Sequence, residues 1–239
     1  MYAFLDAEFN ADKNNRTERE DHSLIEVALI ITDDKCQPVE IYHTFVKPKE
    51  NHGKLYPRIR RLTGISQKDI NAGVTYNTAI ADMHTLINRY NIEKIFTYGD
   101  YDKTAFKWNN KYYGRVSYGN AIAKKLTDVS GQLRKLCKIK YEVSLETLAY
   151  ICGTENKVTH TATDDAQTLR EVCMKVNTGN IDEEKCRAYN EYVLNRNSYN
   201  KMLVEFNALT RKGMQKDVIL EMLKRRKTFP KFSEMDKNT

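Results

Sequence analysis

The sequence predicts an α/β protein, with a mixed sheet of about five strands flanked by helices and a helical C-terminal extension. Three observations carry this. Short runs of apolar and β-branched residues at strand length open the chain and recur near residues 92–97 and 126–129. Segments with a single apolar stripe at helical spacing lie between and after them. Beyond Val176 the strand signals stop and only helical runs remain.

Taken in order, Tyr2 to Phe9 reads as the first strand, followed by Asn10 to Ser23, dense in Asn, Lys, Arg and Glu. That polar loop is either a solvated connection or a rim that contacts a ligand. Leu24 to Ile31, apolar on both faces, suits a strand in the middle of a sheet. Asp33-Asp34-Lys35 reads as a turn, and Val39 to Val46 as a third strand completing an antiparallel meander. Glu50 to Arg61 has no clear period. Next, Ser66 is placed to cap a short helix, with Asp69 at the third helical position to complete a capping box. Tyr76 to Tyr90 carries Ile80, Met83, Ile87 and Tyr90 on one stripe and predicts an amphipathic helix lying on the sheet. Ile92 to Thr97 reads as a strand ending in Tyr98-Gly99-Asp100-Tyr101-Asp102, with a helix over Thr104 to Tyr113. Leu126 to Val129 is the last strand, followed by a helix bearing Leu133 and Leu136. Ser144 caps a helix with Leu145, Leu148, Ala149 and Cys152 inward and Gly153 at its end. The helix that starts after His160 turns Leu169, Val172, Cys173 and Val176 to the core.

The division expected is a domain over residues 1–176 and a basic helical extension over 177–239. The extension's helical runs are Glu183 to Leu194, Tyr199 to Leu209 and Lys216 to Arg226, with a joint at Asn195 to Ser198. Tyr189, Val193, Met202, Phe206 and Leu209 are expected to pack these helices together or onto the domain. Lys224 to Lys227, followed by Phe229 and Phe232, has two readings: a surface that meets phosphates and stacks on bases, or a solvated face.

The 239 residues include 30% charged and 41% hydrophobic ones, which excludes a chain too polar to fold. A net charge of +7 suits a polyanionic partner such as nucleic acid. The five cysteines, odd in number and without a C-x-x-C pair, predict reduced thiols and a cytoplasmic setting. With no apolar run of membrane-spanning length and no signal peptide over residues 1–23, no membrane association is expected. A zinc site is not expected either, since no Cys or His pair has ligand spacing. His22, His43, His52 and His84 sit in no motif and read as surface or core histidines.

The chemistry-bearing residues begin with Asp6 and Glu8. On a strand they project from one face with Cα atoms about 6–7 Å apart, and two carboxylates that close favour a divalent cation between them. A solvated strand end also looks like this when taken alone. Asp165 continues the buried stripe of its helix, whereas Asp164 is turned roughly 100° away. Asp102 stands at the base of the Ala105, Phe106 and Asn109 stripe, while Asp100 shares its parity if the strand runs on. Of the two, Asp102 is favoured.

In order, D-x-E at Asp6 and Glu8, an aromatic-Asp turn at Tyr101-Asp102, and H-x-x-x-x-D at His160 and Asp165 resemble the DEDDh 3′-to-5′ exonucleases of the ribonuclease H-like superfamily. Ile25-Glu26-Val27-Ala28, Leu62-Thr63-Gly64-Ile65-Ser66-Gln67 and Gly99-Asp100-Tyr101-Asp102 are most similar to exoribonucleases related to the enhancer of RNA interference. The resemblance covers about residues 1–176. It implies a ribonuclease H-like mixed five-stranded sheet and two divalent ions, Mg²⁺ or Mn²⁺, held by Asp6, Glu8, Asp102 and Asp165. It further implies His160 as general base, and Phe9, Thr63, Gly64 and Ile65 bordering the terminal nucleotide. The implied partner is a nucleic acid with a free 3′ end, RNA favoured over DNA. The second motif departs from the family pattern, because Gly99-Asp100 stands where an Asn often precedes the aromatic-Asp pair. The other readings are a 3′-to-5′ DNA exonuclease of trimming or proofreading type and a catalytically silent nucleic-acid-binding protein.

Overall fold

A computed structural model describes residues 1–11, 22–49, 51–114, 117–210 and 232. The expected strands are all present, as β1 (Tyr2–Asn10), β2 (Ser23–Thr32), β3 (Pro38–Phe45), β4 (Ile95–Thr97) and β5 (Leu126–Asp128). They form one mixed sheet in the order β3-β2-β1-β4-β5. The first three strands pair antiparallel, and β4 and β5 join parallel to β1 and to each other. Because β1, β4 and β5 run the same way, their C-terminal ends meet at one edge, where open α/β sheets carry ligands.

Helices cover both faces. On one side lie α3 (Tyr76–Arg89), α4 (Tyr101–Tyr112) and α5 (Ser117–Lys125). Ile80, Met83, Phe106 and Ile122 pack there against Ala3, Leu5, Val27, Leu29 and Ile31 of the sheet. On the other lie α6 (Ser130–Leu136), α7 (Leu145–Cys152) and α8 (Ala162–Asn177), with Leu133, Leu148, Leu169 and Val172 against Phe4, Ala28 and Ile30. Ser66 and Asp69 make the predicted capping box at the start of α2 (Gln67–Ala72). Thr75 and Ser144 cap α3 and α7, and Gly153 ends α7 in the left-handed conformation.

Several expectations are corrected. The stretch without a clear period contains α1 (Pro57–Thr63), for which Pro57 supplies the preset first helical φ. The helix α5 fell between the segments read from periodicity. Leu136 is exposed, since α6 ends there and only Leu133 reaches the core. The expected joint at Asn195 to Ser198 does not exist: α9 (Glu183–Thr210) runs straight through it. Asn and Ser are mediocre helix formers, but Arg196 is a good one and the stretch has no Gly or Pro to stop a helix. Tyr189 is buried, and its hydroxyl donates to Glu142 O at 2.7 Å. Phe232, which one of the two readings offered for base stacking, is buried among Tyr150, Tyr189 and Tyr192, its ring centroid 5.3 Å from that of Tyr189. The run Lys216 to Arg226, with Lys224 to Lys227, and Phe229 lie outside the described residues, as do the side chains of Met202, Phe206 and Leu209 and residues 12–21 of the polar loop.

Candidate active site

The site is built where β1 reaches the C-terminal edge of the sheet. Alternation sends Leu5, Ala7 and Phe9 into the apolar face beneath α3 and α4. Asp6 and Glu8 therefore point to the opposite face, toward α8. The β1–β2 pairing shifts register between Glu8 and Phe9, so the strand is bulged beside Glu8. Bulges of this kind re-aim side chains next to functional sites.

From α8 comes Asp165, buried in the first turn as predicted, with Asp164 exposed. Thr161 caps the helix by accepting from Asp164 N–H, and Asp165 Oδ1 accepts from Thr159 N–H at 2.9 Å. Immediately before lies His160, exposed and at φ 61°, a left-handed conformation that a non-glycine residue adopts at a cost. Its ring lies at the site: Glu8, His160 and Asp165 each offer a ligand atom, and the three atoms fall within 4.8 Å of one another.

The turn after β4 supplies the remaining acid. Gly99 takes φ 93°, open to glycine at little cost, and its N–H donates to Asp128 Oδ1 at 2.7 Å. This brings α4 in with Asp102 buried and Asp100 exposed. The geometry thus separates the two aspartates, with Asp102 alone turned toward Asp6.

The electrostatics record how crowded this is. Burial pushes the Asp6 carboxyl well above the usual range, and Asp102, Asp165, Glu8 and Glu26 push it further in the same direction. Glu8 is raised to about 8, first by burial and then by Asp165, Glu26 and Asp102. Asp102 and Asp165 are raised chiefly by burial, and for Asp165 the Thr159 N–H and His160 work the other way. Acids this close and this dry are stable as anions only with a cation among them. An all-carboxylate set with one adjacent imidazole fits hard oxygen-seeking ions such as Mg²⁺ or Mn²⁺ and not a structural zinc.

Of the residues that the resemblance places beside a terminal nucleotide, Phe9, Thr63 and Ile65 are buried. Thr63 Oγ1 is engaged, donating to Ile59 O at 3.0 Å and accepting from Ile65 N–H at 3.2 Å, and Ile65 packs with Leu55, Ile59 and Ile70. Within that turn only Gly64 is exposed, with a left-handed φ of 73°.

Two residues at the site were not assigned a role from sequence. Tyr101 is 48% exposed at the start of α4, edge-on to Phe9 with ring centroids 5.3 Å apart and its hydroxyl bonded to His22 Nδ1. Glu26 is a fifth carboxylate at the site and is itself buried, directly opposite Glu8 in the sheet. Its signal was available, since a lone charge inside an otherwise apolar strand must find a partner. That partner includes His43, read from sequence as a residue without a motif.

A mixed sheet that gathers carboxylates at the ends of its parallel strands, opposed by a helix bearing another acid, defines the ribonuclease H-like nuclease fold. The exonuclease family model, RNase_T, matches residues 3–173, and the chain belongs to that family. Solved structures agree in fold. The nuclease domain of 3′hExo, a DEDDh family member bound to rAMP, superposes with a TM-score of 0.67 at 16% identity, covering 76% of this chain and 93% of that one. A 3′-exonuclease recognising a histone mRNA stem-loop gives 0.65 at 15% identity, covering 76% of this chain and 64% of that one. E. coli exonuclease I with a dA16 oligonucleotide gives 0.54 at 16% identity, over 85% of this chain and 45% of that one. This chain thus spans less than two thirds of the length of the latter two. No curated protein matches the sequence. Among the described residues, no helix is long and apolar enough to cross a membrane.

Proposed function

We propose that this protein is a metal-dependent 3′-to-5′ exonuclease that removes nucleotides one at a time from the 3′ end of single-stranded nucleic acid, with RNA as the preferred substrate. The observation that carries this is the convergence of buried Asp102 and Asp165 with the partly buried Asp6 and Glu8, beside the exposed ring of His160. A silent binding protein has no reason to hold like charges together where phosphates must dock. In this reading Asp6, Glu8, Asp102 and Asp165 hold two divalent cations, Mg²⁺ or Mn²⁺. When bound, such a pair neutralises the scissile phosphate and lowers the pKa of an attacking water. A ring nitrogen of His160 takes a proton from that water as its oxygen bonds to phosphorus. The bond to the 3′ oxygen of the preceding nucleotide breaks, leaving a shortened strand and a nucleoside 5′-monophosphate. Tyr101 offers an aromatic face on the rim, suited to stacking on a base.

The preference for RNA rests on the likeness to the exoribonuclease subgroup and on the RNA named for the 3′-exonuclease of similar fold. Residues 1–176 form the catalytic domain in this proposal, and residues 177–239 an extension tied to it through Tyr189 and Phe232. The four cysteines buried within the described residues, and Cys36, are all free, which suits a reducing cytoplasm.

The test is a pair of 5′-labelled single strands of matched sequence, one RNA and one DNA, incubated with Mg²⁺, Mn²⁺ or EDTA. The expected result is a ladder of RNA shortened from its 3′ end with either metal and no cleavage in EDTA. Faster shortening of the DNA strand would reassign the substrate, and intact strands under every condition would sink the nuclease reading.

A further inference from the structure

We infer that Glu26 is a positioning residue that fixes the first turn of α8 against the sheet and thereby sets where Asp165 and His160 stand relative to Glu8. The inference rests on the exonuclease reading of that site, and it comes from one side chain that bonds two separate elements. Glu26 is 3% exposed, in a strand whose other residues are all buried. Its Oε2 accepts the N–H of Ala162, the first residue of α8, at 3.1 Å across 136 positions of sequence. Its Oε1 lies 2.7 Å from Nε2 of His43 on the edge strand β3.

The location explains the consequence. Glu26 pairs with Glu8 in the β1–β2 register, at the bulge, so its backbone is locked to the strand that presents Glu8. Ala162 is fully buried, lies three residues before Asp165, and follows His160 by two. Its N–H is one of the donors that a helix leaves without an internal partner. A carboxylate there satisfies the donor and suits the positive end of the helix dipole. Thr161 serves a different donor, that of Asp164, so the two caps do not substitute for each other. Glu26 therefore connects the strand carrying Glu8 with the turn carrying Asp165. Loss of the link frees the turn to shift, and shifts of about 1 Å in such supports are enough to cost catalysis.

Charge alone does not account for its presence. Another acid adds to the repulsion already felt by Asp6 and Glu8. If anchoring is the role, the neutral amide of Glu26→Gln keeps it, because its oxygen still accepts from Ala162. Glu26→Ala abolishes it.

The experiment compares wild type, Glu26→Ala and Glu26→Gln by three measurements on the full chain. These are single-turnover cleavage of labelled RNA, calorimetric Mn²⁺ binding, and hydrogen exchange of the Ala162 amide. Glu26→Ala should lower the cleavage rate and the Mn²⁺ affinity about 10–100-fold, the usual effect of removing a support behind metal ligands, with KM for RNA nearly unchanged. It should also remove the protection of the Ala162 amide, whereas Glu26→Gln should stay within about 3-fold of wild type and keep that protection. Wild-type values in a folded Glu26→Ala protein would overturn the inference. So would a Glu26→Gln protein as impaired as Glu26→Ala, which would mean that the charge itself is required. If wild type cleaves nothing, the exonuclease reading fails, yet Mn²⁺ binding and Ala162 exchange still decide the role of Glu26. Should Glu26→Ala fail to fold, loss of Ala162 protection in Glu26→Gln would overturn the anchor and retention would support it.

Discussion

The two faces of β1 differ in a way that separates what stabilises this protein from what equips it to act. On the face toward α3 and α4, Ala3, Leu5, Ala7 and Phe9 are apolar along the whole strand and buried throughout. Full burial of a side chain such as Leu5 stabilises by about 1.5–3 kcal/mol. On the face toward α8 the strand begins the same way with Phe4 and then changes to Asp6 and Glu8. There burial raises the carboxyls instead of stabilising the fold, and every neighbouring acid adds to the strain. One strand thus serves two purposes by period alone, and the cost of the second face is carried by the first.

Substitutions on the two faces should break this contrast most sharply. Asp6→Ala is expected to abolish cleavage of labelled RNA while the protein still melts cooperatively, since losing one carboxyl from the crowded cluster relieves repulsion. Leu5→Ala, one residue away, should lower stability by about 2–5 kcal/mol in denaturant titration and leave the activity of the folded fraction near wild type. If Asp6→Ala retains metal-dependent cleavage, or Leu5→Ala loses activity while fully folded, the division of labour between the faces is wrong.

Next in size is His160, on the α8 side but exposed. His160→Ala should slow single-turnover cleavage by roughly 10²–10⁴-fold, the range for a general base, while calorimetric Mn²⁺ binding persists. An unchanged rate with chemistry limiting would remove His160 from the mechanism.

The smallest effect is a pH dependence that only the acidic face should produce. A carboxyl raised on folding binds more protons in the folded than in the unfolded state, so stability is present at low pH and falls as pH rises. For Glu8 that window runs from near 4.5 to about 8. Without metal, the melting temperature should therefore fall by several degrees between pH 5.5 and 8.5, and Mn²⁺ should reverse the fall by binding the folded state. Glu8→Gln should flatten the profile. A metal-free melting temperature that climbs over this range would contradict the crowded-acid account.

Patterns of short range were legible in the amino-acid order alone. Period two in β1 put Asp6 and Glu8 on one face, and period 3.6 in α8 turned Asp165 inward and Asp164 out. The Ser66 and Asp69 capping box, the Ser144 cap and the Gly153 stop of α7 could be read because each is settled within a single turn of chain. Other features needed the fold because their partners are distant in sequence. Nothing near Glu26 announces Ala162, 136 residues away, or its hydrogen bond with His43. Thr63 and Ile65 turn inward because Leu55, Ile59 and Ile70 close around Ile65, and Phe232 is buried because α7 and α9 present three tyrosines to it. The sequence by itself determined which side chains share a face, since that follows from backbone geometry. Which faces meet, and so which acids sit together, was decided only when the sheet and α8 packed, because burial and repulsion belong to the assembled site and not to any one element.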